Sequence, residues 1–173
     1  MKNQLAIRTL IFFVVFIICN CTIDKTSMPP DWRNPSGSEI SDDWRKKDIN
    51  KYLITMGDFN GDGVTDTAKL LVRADGSAFG LFAVVSQEDH TFKTYLLDEN
   101  KDIRFMHGMG ITKASPGLYK TACGKGYWAC GADEMPEISI QYDAINYFKT
   151  ESANSFFYWN RQASNFKRIW ISD

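Results

Sequence analysis

The sequence predicts a single, mostly β domain of antiparallel strands, with an α+β arrangement as the alternative. Short apolar or alternating runs recur through the chain, and polar turn sequences separate them. One of these turns contains Asp75-Gly76, a dipeptide that favours tight hairpins. Aromatic residues make up 14% of the chain and are concentrated in its second half.

Length and charge limit the class of protein. A chain of 173 residues fits one domain with a core of its own. The 20 basic and 21 acidic residues give a formal net charge of −1, so there is no electrostatic footprint for nucleic acid. The sequence gives no indication of oligomeric state.

Residues 1–20 have the features of an export signal. Lys2 and Arg8 are basic, and the apolar run 10–18 that follows is too short to span a bilayer. The segment Ile18-Cys19-Asn20-Cys21 resembles a bacterial lipobox. This resemblance implies that the cleaved chain begins at a lipidated Cys21.

The expected location follows from that segment. Thr22, after the cysteine, resembles the sorting pattern that sends lipoproteins to the outer membrane, with the protein facing the periplasm. A soluble periplasmic protein and an uncleaved signal anchor are the alternatives. Residues 21–40 are rich in proline and serine and predict a flexible tether, which leaves 41–173 as the folded domain. Membrane contact is expected only through the lipid.

The folded part is expected to begin with a short helix and to continue as strands. Ser41-Asp42-Asp43 favours capping of a helix that runs to about residue 50. The segment 106–110, which contains His107, is expected to be flexible because of its glycines. The expected strands cover residues 52–54, 68–72, 80–85, 92–97, 137–142, 144–148, 155–159 and 166–171.

The segment 57–66, which we call the acidic loop, has the features of a cation site. Ca²⁺ prefers six to eight oxygen ligands, and side chains at alternate positions supply them from one tight loop. The loop is not an EF-hand, because the twelfth position is Lys69, where that motif needs glutamate. The candidate ligands are the side chains of Asp58, Asn60, Asp62 and Asp66 and the carbonyl of Val64.

The pattern D-x-N-x-D-G-x-x-D resembles the calcium loops of FG-GAP and VCBS repeats. The resemblance implies that the loop joins two strands and that the same five residues hold a structural Ca²⁺. Only one copy is present, so a complete propeller is excluded by length. The alternative is that Asn60-Gly61 and Asp62-Gly63 are ordinary turn dipeptides.

Cys123 and Cys130 are the cysteines of the expected folded domain, and in an exported protein they are expected to pair. A loop of this length stabilises by about 2.5 kcal/mol on the chain-entropy estimate. The resulting disulfide ring would present Tyr127 and Trp128 beside Lys125, a composition typical of protein-binding hot spots. The alternative is that Trp128 folds back into the core.

The second half of the chain also resembles small proteobacterial lipoproteins and periplasmic proteins without an established activity. The likeness covers 122–128, 151–159 and 166–173. It implies a genuine domain and adds no function.

Three functional classes follow. The favoured one is a non-catalytic envelope protein that binds a protein partner, for instance an inhibitor or immunity-type lipoprotein. The second is a Ca²⁺-dependent hydrolase of envelope polymers, and the third is a calcium-stiffened adhesin module. Neither histidine forms a recognisable triad or zinc motif. The acidic residues available to a hydrolase are Glu99, Asp102, Asp133, Glu134 and Glu151.

Overall fold

The computed structural model describes residues 28–45 and 47–173. The expected signal peptide, Cys21 and Thr22 lie outside these residues. The described strands are β1 (Trp32–Arg33), β2 (Ile54–Gly57), β3 (Asp66–Arg73), β4 (Phe79–Ser86), β5 (Phe92–Asn100), β6 (Met109–Ala114), β7 (Gly117–Lys120), β8 (Glu137–Ile140), β9 (Ala144–Lys149), β10 (Asn154–Asn160) and β11 (Asn165–Ser172). The described helical elements are the helix α1 (Gly37–Ile40) and the 3₁₀ turns Asp43–Arg45, Ile103–Gly108 and Cys123–Lys125.

The first sheet has the strand order β1-β3-β4-β5, and β2 also pairs with β3. All of its pairings are antiparallel. At the β3–β4 turn, Gly76 has a φ of +75°, and its N–H donates to the carbonyl of Arg73 at 2.8 Å. The predicted meander of antiparallel strands is therefore confirmed.

The second sheet has the order β11-β10-β9-β6, and β7 and β8 form a separate two-stranded sheet. Consecutive residues of β10 point to opposite faces, as strand geometry requires. Phe157 belongs to the main core, which the first sheet also lines, whereas Phe156 packs with Ile138 and Ile140 of β8. The second sheet therefore lies between the first sheet and the β7–β8 pair, in a mostly β single domain.

Residues 115–143, which we call the arm, connect two strands that are direct neighbours. β6 and β9 pair as far as Ala114 and Ala144, and the arm leaves and returns at that point. Its β7–β8 pair continues into the disulfide ring. The N–H of Ala122 donates to the carbonyl of Trp170 at 2.8 Å, so the arm also covers part of the outer edge of β11.

The domain begins earlier than the sequence suggested. β1 pairs with β3, Arg33 forms an ion pair with Glu39 at 2.8 Å, and Ile40 is buried in the main core. The prediction of a flexible tether is therefore wrong for residues 32–40. One ion pair and one buried apolar side chain outweigh the Pro- and Ser-rich composition of the segment.

Among the described residues, the helix expected between Ser41 and residue 50 does not form. Only the 3₁₀ turn Asp43–Arg45 forms there among the described residues. The segment has little apolar surface with which a helix could pack. Arg45 instead enters the interior, where its guanidinium donates to the carbonyls of Lys51 and Met109.

The segment 106–110 forms regular structure, and the expectation of a flexible segment is wrong. Met106 is fully buried in the 3₁₀ turn, and Met109 starts strand β6. A Cβ at Gly110 would lie 2.4 Å from the ring of Phe148, so glycine here permits close packing. In the described part of the chain, no helix is both long and apolar enough to cross a bilayer.

Candidate functional site

The acidic loop joins β2 to β3, and the pairing of Gly57 with Asp66 closes its base. The strand–loop–strand context expected for it is therefore present. The carboxylate of Asp58 accepts hydrogen bonds from the N–H groups of Gly61 at 2.7 Å, Asp62 at 3.1 Å and Gly63 at 2.9 Å. The loop backbone therefore wraps around the side chain of Asp58.

Asp62 and Asn60 connect the loop to the end of β4. Asp62 accepts from the N–H of Val64 at 2.7 Å and from the hydroxyl of Ser86 at 2.6 Å. The amide nitrogen of Asn60 donates to the carbonyl of Ser86 at 2.9 Å. Burial by itself raises the pKa of Asp62, but the hydrogen bonds, chiefly those from Ser86 and Val64, leave the pKa below its ordinary value.

Asp66 is the buried member of the set. Its carboxylate accepts from the N–H groups of Phe59 and Ser86, both at 2.9 Å, and lies 3.0 Å from the hydroxyl of Ser86. Burial raises its pKa, and the negative charge of Asp62 contributes in the same direction. A cation near these two carboxylates would relieve that repulsion.

The donor chemistry of the loop suits Ca²⁺, because it consists of carboxylate and amide oxygens. The carboxylate oxygens can still bind a cation, because each carboxylate has about four acceptor positions. In addition, Ser86 has a single hydroxyl proton, which can be donated to only one of Asp62 and Asp66 at a time. Within the described residues, however, no three Asp, Glu, His or Cys side chains are grouped so that they could hold a metal.

The loop is docked on the base of the arm. A Cβ at Gly61 would lie 2.2 Å from the ring of Tyr142, so the ring lies directly against the glycine. The N–H of Asp58 donates to the carboxylate of Asp143 at 3.2 Å, and Lys113 pairs with the same oxygen at 3.2 Å. The guanidinium of Arg161 lies over the outer part of this junction, 4.9 Å from the centre of the Tyr142 ring.

The predicted disulfide between Cys123 and Cys130 is present, with an S–S distance of 2.03 Å. Its ring needs glycine at two positions. A Cβ at Gly124 would lie 1.8 Å from the carbonyl oxygen of Pro136, and Gly126 has a φ of +84°. The ring is therefore packed against the returning strand of the arm.

The three residues proposed for partner binding have different environments. Lys125 donates from its ammonium to the carbonyl of Ile171 at 2.8 Å, and the indole N–H of Trp128 donates to Glu134 at 3.1 Å. Trp128 is half-buried, so it neither projects fully nor enters the core. Lys125 and Tyr127 are both exposed, and Tyr127 is the exposed apolar member of the three.

Two further exposed apolar side chains of the arm were missed. Leu118 is 69% exposed and Met135 is 57% exposed, compared with 53% for Tyr127. The alternation in β7, where Tyr119 faces inward onto Phe156, could have assigned Leu118 to the outer face. Met135 lies in irregular structure, where no periodicity indicates its orientation.

The acidic residues considered for a hydrolase have separate partners. Glu99 and Asp102 each pair with an arginine, at 2.8 and 2.6 Å, and Glu134 binds the indole of the arm. Asp133 and Glu151 are exposed on different loops. In the described structure, no two of these five carboxylates lie together as an acid and a base of one site.

Both histidines lie at the surface. His107 is exposed, and its Nε2 lies 3.9 Å from the carboxylate of Asp42. His90 occupies the β4–β5 turn with a φ of +63°. Their environments are those of ordinary turn residues.

Comparison of this chain with protein-family models, curated proteins and solved structures finds no match. Its function is therefore inferred from its own geometry.

Proposed function

We propose that this protein is a non-catalytic binding protein of the bacterial cell envelope whose arm contacts a protein partner. The observation that carries the proposal is the arm itself. It is braced by the Cys123–Cys130 disulfide, and it exposes Leu118, Tyr127 and Met135. A rigid segment with exposed apolar anchors is a favourable binding element, because little conformational entropy is lost on association.

The contacts that hold the arm leave its apolar side chains outside. The N–H of Ala122 and the ammonium of Lys125 attach the ring to β11, and Trp128 is held by Glu134. Tyr127 lies between these attachments without being covered. Tyrosine at such a position is a typical hot-spot residue, and this arrangement suits an inhibitor or immunity-type protein.

The same proposal gives the acidic loop a structural role. Ca²⁺ held by Asp58, Asn60, Asp62, Asp66 and the carbonyl of Val64 would stiffen the loop on which the base of the arm is docked. It would stabilise the domain without acting on a substrate. We place the protein at the periplasmic face of the outer membrane, anchored through Cys21, with a soluble periplasmic form as the alternative.

Thermal unfolding of residues 28–173 in EDTA, in Ca²⁺ and in Mg²⁺ tests the calcium part. Ca²⁺ at a hundredfold excess over Kd should stabilise by about 2.7 kcal/mol, a rise in Tm of several degrees. Asp62→Asn should abolish the rise. Asp75→Asn is the matched control, because Asp75 accepts the N–H of Ser77 at 2.9 Å in a turn of another hairpin. No rise in the wild type would overturn the calcium site and leave the arm proposal standing.

Site-specific photo-crosslinking in the bacterial host tests the arm. A photoreactive amino acid at position 127 should give one discrete crosslinked product, and the product should weaken when Met135 is replaced by aspartate. The control position is Ser77, which is exposed on the β3–β4 turn. Absence of a product at 127, or the same product at both positions, would contradict the proposal.

One observation supports the hydrolase as a second candidate. A groove of about 800 Å³ runs beside the acidic loop and is lined by Asp62, Glu88, Asp89 and Arg161 among others. Its carboxylates could face an envelope polymer. Glu88→Gln should then abolish hydrolysis of purified peptidoglycan, whereas a binding protein shows no hydrolysis in either form.

A further inference from the structure

A cleft with aromatic walls lies at one end of the second sheet, and no residue of the acidic loop lines it. It has a volume of about 360 Å³ and lies between the end of β5, the 3₁₀ turn before β6, the β9–β10 turn and β11. Phe105 is 42% exposed and Trp170 is 39% exposed, and Met109 also lines the cleft. We call it the Phe105 cleft. Pockets for small molecules are typically about 300–1,000 Å³ and largely apolar.

Two cations lie in this cleft, each over an aromatic ring. The ammonium of Lys149 is 4.8 Å from the centre of the Phe105 ring, and the guanidinium of Arg168 is 4.1 Å from that of Trp170. Such contacts hold a cation in place without neutralising its charge. Both cations therefore remain able to attract an anion.

The charges of the cleft do not cancel. Asp98 is its carboxylate, and it lies 3.6 Å from a guanidinium nitrogen of Arg168, beyond the range of a strong hydrogen bond. Arg168 also donates to the hydroxyl of Ser155 at 2.9 Å. No carboxylate among the described residues forms an ion pair with Lys149. Two cations and one carboxylate leave a single positive charge beside the apolar walls.

The cleft is preformed. The N–H of Lys149 donates to the carbonyl of Ala153 at 3.0 Å across the β9–β10 turn. The N–H of Thr150 donates to the carbonyl of Gly108 at 2.9 Å, which fixes that turn to the 3₁₀ turn carrying Phe105. A preformed site loses little entropy on binding.

We propose that the Phe105 cleft binds a small apolar anion, with its apolar body between Phe105 and Trp170 and its carboxylate or similar group between Lys149 and Arg168. A second hollow of about 480 Å³ shares Phe105 and Lys149 with this cleft. The longer members of this ligand class could extend into it.

Titration of ¹⁵N-labelled protein with three compounds of equal chain length tests this inference: octanoate, octanol and octylammonium, all below micelle-forming concentrations. Octanoate should shift the amide signals of Phe105, Lys149, Ala153 and Trp170 and the indole signal of Trp170. It should bind at least about fivefold more tightly than octanol, which corresponds to one charge-assisted contact in a part-buried site. Octylammonium should bind most weakly.

Lys149→Gln separates charge recognition from apolar contact. It should weaken octanoate about fivefold or more and leave octanol nearly unchanged. The matched control is Lys93→Gln, because Lys93 is also exposed and lies over an aromatic ring, 4.7 Å from the centre of Tyr95, outside the cleft. Three results would each overturn the proposal: no saturable shift, equal affinity for octanoate and octanol, or an equal loss of affinity in both variants.

Discussion

Substitution of Gly61 by alanine tests how firmly the acidic loop is docked on the arm. Gly61 and Gly63 have nearly the same backbone conformation, with φ values of +78° and +81°. Their surroundings differ: a Cβ at position 61 would lie 2.2 Å from the ring of Tyr142, whereas nothing lies within 4 Å of a Cβ at position 63. Gly63→Ala is therefore a matched control for the backbone cost alone.

The magnitudes follow from these two environments. A single alanine in the left-handed conformation costs about 1 kcal/mol, which is the whole effect expected for Gly63→Ala. Gly61→Ala adds the displacement of a packed ring, an overpacking cost of about 1–3 kcal/mol. The expected difference between the two variants is thus about 2 kcal/mol, or a difference in Tm of roughly 6 °C for a domain of this size.

The assay is urea unfolding followed by tryptophan fluorescence and by circular dichroism. In the Tyr142→Ala background, Gly61→Ala should cost only about 1 kcal/mol, because the clashing ring is then absent and the backbone cost alone remains. Equal destabilisation by Gly61→Ala and Gly63→Ala would show that Tyr142 does not pack on the loop in solution. The account of a docked acidic loop would then be wrong.

Three other perturbations test separate parts of the domain. A hydrogen bond from Arg33 lowers the pKa of Glu39 to about 2. The ionised Glu39 therefore stabilises the domain fully above pH 4.5, and this stabilisation is lost as the pH falls toward about 2. Glu39→Gln should remove about 1 kcal/mol of this acid-sensitive stability, measured by urea unfolding at pH 6 and pH 3. Arg45→Met should destabilise by about 1–3 kcal/mol, because the buried carbonyl of Met109 and the part-buried carbonyl of Lys51 lose their donor. A more stable variant would show that desolvation of the guanidinium outweighs its hydrogen bonds. Replacing both Cys123 and Cys130 by serine should cost about 2.5 kcal/mol in the free energy of unfolding, and an unchanged denaturation midpoint would refute a stabilising role for the ring.

The features that the sequence predicted well are those encoded locally. Alternation in residues 137–142 corresponds to β8, whose residues alternate between exposed and buried because one face of the strand is covered. The β3–β4 hairpin follows from Asp75-Gly76, since glycine there has a positive φ. The disulfide follows from two cysteines at a spacing that permits ring closure.

The features that were missed depend on contacts between distant residues. β6 contains Gly110, and only the ring of Phe148 above it explains why a glycine is favourable in that strand. The helix expected after Ser41 is replaced by a 3₁₀ turn because Arg45 is held by carbonyls up to 64 residues away. Composition gives no information about such partners.

The orientation of the candidate binding residues was least accessible of all. Trp128 was expected to project with Tyr127 beside Lys125, but the carboxylate of Glu134 accepts from its indole and the side chain is half-buried. The ammonium of Lys125 donates to the carbonyl of Ile171, although the side chain stays exposed. The local sequence can predict a disulfide ring, but the exposure of each side chain in that ring depends on tertiary contacts.

The acidic loop and the arm are mechanically one unit, and this restricts how the proposed calcium site can act. The arm is attached at two places, through its ring to β11 and through Tyr142 and Asp143 to the loop. An ion that reorients Asp58 or Asp62 would therefore change the structure mainly at the base of the arm, close to Tyr142. It would change the ring much less, because β11 holds the ring independently. Under this arrangement bound Ca²⁺ would set the stability of the base of the arm, while the exposure of Tyr127 is determined by contacts that need no metal.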